Sequence, residues 1–202
     1  MARLVLATHN PHKVRELREI LTPLVPGLAG ADVVGAADLA APMPLEDEVT
    51  FAGNALLKAR ALARFSGLVA VADDSGLEVD VLGGAPGVFS ARWAGGHGDD
   101  EANLRLLLDQ LADVPPKHRG AQFTCAAAVA APDGREHVVM GRMRGVLIHA
   151  PRGSGGFGYD PIFVAVGQDR TNSELTPEEK NAISHRAEAF VALAPTIAEY
   201  LT

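Results

Sequence analysis

The chain has a single cysteine, Cys125, among 202 residues, which excludes an intramolecular disulfide and any cluster of thiolate metal ligands. A reducing compartment suits that usage, and a small core residue is its plain reading. Positive charge is scarce as well: 18 Lys and Arg stand against 25 acids, a formal charge of −7. A nucleic-acid polymer asks for a basic stripe, so any phosphate ligand must here be met by local cations or a metal. The opening ARLVLATHN carries too short an apolar run for a signal peptide or a membrane span. These absences lead us to expect a cytoplasmic protein with neither a membrane nor a nucleic-acid polymer as partner. Familiar catalytic signatures are missing too. There is no GxxxxGK[ST] phosphate loop, and Ser154 sits in GSG, outside a G-x-S-x-G elbow. No histidine stands at zinc-motif spacing from another ligand, so His97, His118, His137 and His149 read as surface or loop residues.

What is present is a chain that is 48% hydrophobic, long enough for one domain over 1–202 or for two packed lobes. Residues 3–7 (RLVLA) have strand length, and Asn10-Pro11 reads as a helix start carrying Val14, Leu17, Leu21 and Leu24 on one face, ending near Pro23. Thr50 is placed to cap a second helix through about Arg64, with Phe51, Ala55, Leu62 and Phe65 inward. Residues 67–72 form the next strand in this reading. Asp99 or Asp100 caps a helix bearing Leu104, Leu107, Leu108 and Leu111. Residues 121–131 and 136–148 read as long strands joined by Pro132-Asp133-Gly134, a hairpin signal. After the strand-like IFVAV, Thr176-Pro177-Glu178-Glu179 is a capping box. Interleaved strands and helices with a long antiparallel hairpin predict a mixed α/β fold.

Six stretches carry residues suited to chemistry. In THNPHK (8–13) a helix N-terminus and one lysine favour an anion, or mark nothing beyond a capped helix. In FAGNALLKA, Asn54 and Lys58 lie four apart on one helical face, either as a donor pair or as a solvated surface. The loop acids Glu46-Asp47-Glu48 supply hard oxygens of the kind magnesium takes, though charge runs are usually solvated. ADDSGL (72–77) sets two carboxylates side by side, which calls either for a cation between them or for a solvated turn. GGFGYDP (155–161) allows close backbone approach to a ligand and offers Phe157 or Tyr159 for stacking, unless it is only a flexible loop. Lys180 and His185 are five apart, so they share a site only if the helix breaks near Ser184.

In their order along the chain THNPHK, FAGNALLKA, ADDSGL, APGVFSARW, GGFGYDPIF and ELTPEEKNAISHRA resemble the inosine triphosphate pyrophosphatase family, from about Arg3 to the C-terminal helix. Trp93 is a departure, standing where a tyrosine is expected. The resemblance implies an elongated mixed sheet with flanking helices, two lobes around a central cleft, and a homodimer. It implies hydrolysis of the non-standard purine triphosphates ITP, dITP and XTP to nucleoside monophosphate and pyrophosphate, with Mg2+. The alternative is a non-catalytic purine nucleotide-binding or sensor protein. By the same resemblance Thr8, His9, Asn10, Pro11, His12 and Lys13 would bind the triphosphate, assisted by Asn54 and Lys58. Glu46 and Asp74, helped by Asp73, would hold the metal, and Asp74 would be the general base. Ser75 would touch substrate. Phe157, Gly158, Tyr159 and Asp160 would surround the base, and Lys180, His185 and Arg186 would complete its pocket.

Overall fold

The computed structural model describes residues 2–9, 11–96 and 98–202, without the side chains of Pro11 and His12. Its six-stranded sheet combines β1 (Leu4–Leu6), β2 (Val33–Gly35), β3 (Val69–Val79), β4 (Gly120–Ala130), β5 (Glu136–Leu147) and β6 (Phe163–Ala165). The strand order is β2-β1-β3-β4-β5-β6. β1 runs parallel to both neighbours, with Leu4 opposite Val33 on one side and Val69 on the other, whereas β6 is antiparallel to β5. The sheet is therefore mixed, and among the described residues five α-helices accompany it: α1 (Pro11–Leu21), α2 (Phe51–Ser66), α3 (Asp100–Gln110), α4 (Pro177–Ile183) and α5 (His185–Tyr200).

Local chemistry sets the helix ends. The Thr50 side chain accepts the Gly53 N–H at the start of α2, and Gly67, at φ 68°, returns its N–H to Ala63 at the end. Asp99 caps α3 through the Ala102 N–H. At α4, Thr176 and Glu179 form the reciprocal capping box with Pro177 in the first turn. Ser184 then takes extended φ/ψ (−75°, 142°), so the helix breaks there, the condition for Lys180 and His185 to share a site, and α5 begins at His185. The hairpin between β4 and β5 closes through the Ala131 N–H to the Arg135 carbonyl (2.8 Å).

The chain divides into two compact units. Unit 1 comprises Met1–Asp74, Cys125–Gly141 and Arg186–Thr202, and unit 2 comprises Ser75–Thr124 and Arg142–His185. The core of unit 1 gathers Leu6, Leu17, Val71, Cys125, Phe190 and Ile197, all fully or nearly fully buried. That of unit 2 gathers Leu77, Leu107, Leu111, Tyr159, Ile162 and Phe163. Trp93 packs against this second core and donates its indole N–H to Gln110 Oε1 (2.9 Å).

Three expectations change. Phe65 is 54% exposed instead of inward; it lies in the last turn of α2, and helical phase alone does not say where the covering surface stops. Leu24 lies beyond the end of α1 and is 39% exposed. More consequentially, β3 does not stop at residue 72 but continues through Asp73, Asp74 and Ser75 to Val79. The DDSG stretch is strand, not turn.

Candidate active site

Asp73 and Asp74 organise unit 1. Neighbours in a strand point to opposite faces, so the two carboxylates part and meet different partners. Asp74 is reached from α2: Asn54 Nδ2 donates to its Oδ2 (3.1 Å), and Lys58 Nζ lies 3.7 Å from its Oδ1. The same two side chains gather the acidic loop, because Asn54 Oδ1 accepts the Glu48 N–H (3.1 Å) and Lys58 donates to Glu46 Oε1 (2.9 Å). Asn54 is 1% exposed and Lys58 6%, which removes the solvated-face reading.

The charges here do not balance. Burial pushes the Asp74 carboxyl above the ordinary aspartate range; Lys58 and Asn54 oppose the rise while Glu46 and Asp73 add to it. Burial also disfavours the Lys58 ammonium, yet Asp74, Asp73 and Glu46 outweigh it and its pKa is raised. One ammonium thus serves two close carboxylates, an arrangement with room for more positive charge.

Asp73 is buried on the other face of β3. Its Oδ2 accepts from Arg186 Nε (3.2 Å) and from Lys13 Nζ (3.5 Å). Burial works against this carboxylate, but Lys13, Arg186 and Lys58 hold its pKa well below the usual range. Arg186 also lies 3.4 Å from Glu16 of α1. Its burial opposes the guanidinium charge, and Asp73 and Glu16 more than restore it. Of the three carboxylates expected around a metal, Glu46 and Asp74 share a cation and Asp73 has cations of its own. Among the described residues, no group of three or more His, Cys, Asp or Glu is gathered as a metal centre.

The remaining residues of THNPHK are only partly in view. Thr8 is half-buried, and His9 Nε2 lies 2.9 Å from the Ala41 carbonyl. Asn10 lies outside the described residues. Pro11 and His12 open α1, but their side chains lie outside the description too.

In unit 2 the GGFGYDP loop is built around Asp160, which is buried. Its Oδ2 accepts from Lys180 Nζ (2.5 Å) and the Phe157 N–H (2.9 Å), and its Oδ1 accepts from Asn172 Nδ2 (3.1 Å). Gly156 has φ 72°, and a Cβ there would collide with the Asp160 carboxylate, so glycine is required. Lys180 Nζ also sits 4.8 Å from the Phe157 ring centroid. Phe157 is 62% exposed and Tyr159 only 4%, so Phe157 is the ring available for stacking and Tyr159 is an anchor. The Gly158 N–H donates to Asp100 Oδ2 (2.9 Å). His185 is buried and stacks on Phe123, centroids 5.2 Å apart and planes 15° apart. Ser75, half-buried, follows Asp74 in β3.

Sequence reading passed over Asn172, Glu16 and Phe123. Glu16 carried a usable signal, standing three residues after Lys13 on one helical face. Asn172 lies in an ordinary Thr171–Glu174 capping turn and had none.

Residues 4–196 match the model of the Ham1 family. The chain is 62% identical over 203 residues to a dITP/XTP pyrophosphatase of Streptomyces coelicolor, covering all of both chains. Among solved structures it is similar to a HAM1 protein from Coxiella burnetii, with a TM-score of 0.88, 37% identity, and 98% and 100% of the two chains covered. It is also similar to a nucleoside-triphosphatase (dITP/XTP pyrophosphatase) from Mycobacterium abscessus, with a TM-score of 0.76, 48% identity, and 96% and 99% covered.

Proposed function

The chain belongs to the Ham1 family, and on that premise we propose that it hydrolyses ITP, dITP and XTP to the nucleoside monophosphate and pyrophosphate. The observation that carries the reading is Asp74, held between Asn54 and Lys58 beside Glu46. A carboxylate so oriented is equipped to position a water and accept its proton. Lys13 and Lys58 supply the local positive charge that an acidic protein needs for a triphosphate and for the departing pyrophosphate.

The donor set fits a divalent cation. Two hard carboxylates, Glu46 and Asp74, already crowd one ammonium, and magnesium commonly takes one or two protein carboxylates with substrate phosphates as further ligands. Such an ion, when bound, polarises a phosphoryl oxygen. Glu46 and Asp74 are its ligands in this proposal, and Asp73 is instead the anchor of Lys13 and Arg186.

For the base, exposed Phe157 offers a stacking face, while Asp160, Lys180 and His185 supply polar groups in unit 2. Hypoxanthine and xanthine carry a C6 carbonyl where adenine carries an amino group, so donors aimed at that position leave adenine unmatched. The same reading has the protein act as a homodimer in the cytosol.

With magnesium, ITP and XTP are expected to release pyrophosphate and no orthophosphate, and ATP is expected to react poorly. A nucleotide panel with both products measured is the test. Stepwise orthophosphate release overturns the reading, and binding without turnover makes the protein a sensor. A second expectation concerns Lys58. Its removal leaves Glu46 and Asp74 facing each other without their shared cation, so Lys58→Ala should raise KM for ITP and lower kcat, each by about tenfold. Unchanged constants would return Lys58 to a structural role.

A further inference from the structure

The segment APGVFSARW, residues 85–93, lies in unit 2 and packs beside β3 through Ser90. Ser90 is its buried centre. The Ser90 hydroxyl accepts the Leu77 N–H of β3 (2.9 Å) and donates to the Gly87 carbonyl (2.6 Å), which pins the backbone at this point. The backbone carbonyl of Ser90 in turn accepts the hydroxyl of Tyr159 (2.9 Å). Tyr159 is two residues from Phe157 and adjacent to Asp160, so this bond ties the loop carrying both to β3.

We propose that Ser90 is a positioning residue: by fixing the carbonyl that receives the Tyr159 hydroxyl, it sets the place of Phe157 and Asp160 for the purine base. The inference rests on the proposed function and names a residue that acts on it without touching substrate. Burial, with Asp100 nearby, pushes the Tyr159 pKa upward, so the hydroxyl stays a donor across the working pH range. The neighbouring bonds from Gly158 to Asp100 and from Phe157 to Asp160 hold the loop backbone, but neither fixes an aromatic ring in the core. Only the Tyr159 bond does so among the contacts of this loop described above.

The test compares wild type, Tyr159→Phe, Ser90→Ala and the double variant. Tyr159→Phe keeps the ring and its volume, so it probes the bond even where Ser90→Ala fails to fold. The variants are expected to raise KM for ITP about tenfold with kcat within about threefold. Because the two residues act through one bond, the double variant should be no worse than the poorer single one. Inorganic tripolyphosphate, which has no base, should inhibit all four proteins with the same Ki. An unchanged KM in Tyr159→Phe, additive losses in the double variant, or a Ki that rises with KM overturns the proposal. Wild-type turnover of ITP is read first: its absence fails the proposed function itself, whereas a normal wild type with indifferent variants fails only the role of Ser90.

Discussion

Asp74→Asn is expected to lower ITP turnover by at least ~10²-fold while leaving the fold intact. The substitution is isosteric, and Asn54 can still donate to the one remaining carbonyl oxygen of the new amide. That choice turns the amide NH2 toward Lys58, which places donors against a cation where a carboxylate had been. Lys58 is then left with Glu46 as its close partner. More important, an amide neither accepts a proton from water nor gives a divalent cation an anionic ligand. The loss should therefore appear in kcat at saturating ITP and magnesium, with thermal unfolding near that of wild type. Calorimetric titration with magnesium should show weaker binding as well. Near-normal turnover under those conditions would remove Asp74 from the chemistry.

The same pair of aspartates shows how far the sequence could be read. Adjacent acids followed by serine and glycine have turn composition, and so the strand was expected to end before them. It continues because each carboxylate is satisfied from a different direction. Asp74 is met by residues 16 and 20 positions earlier in the chain, Lys58 and Asn54. Asp73 is met by Arg186, 113 positions later. Local propensity contains none of this; tertiary partners overrode it. Burial of Asn54 and Lys58 was hidden for the same reason, since a polar helical face looks alike whether water or a buried carboxylate lies opposite. By contrast the caps at Thr50 and Thr176, the cap at Asp99 or Asp100 and the turn at Pro132-Asp133-Gly134 depend on a few neighbouring residues. Those were readable and stand in the structure.

Arg186→Ala is expected to show the cost of the distant partner most directly. Arg186 and Asp73 are both buried, and removing the guanidinium leaves the carboxylate with Lys13 at 3.5 Å as its close cation, a loss of up to about 3–5 kcal/mol. For a chain of this length that corresponds to a fall in Tm of roughly 10 °C. Turnover of ITP should fall by ~10-fold or more, because Asp73 then draws more strongly on Lys13, a lysine proposed to serve the triphosphate. The pH dependence separates charge from packing. In wild type the Asp73 pKa lies below its unfolded value of about 3.9, so its contribution is fully present above that pH and is lost as pH falls through the folded pKa. Without Arg186, burial is opposed by Lys13 and Lys58 alone, so the Asp73 pKa rises from its depressed value and protonation relieves part of the cost. The gap in Tm between wild type and variant should therefore narrow as pH is lowered from 7 toward 3. A gap that stays constant over that range would mean that Arg186 contributes by filling space, and that Asp73 does not depend on its charge.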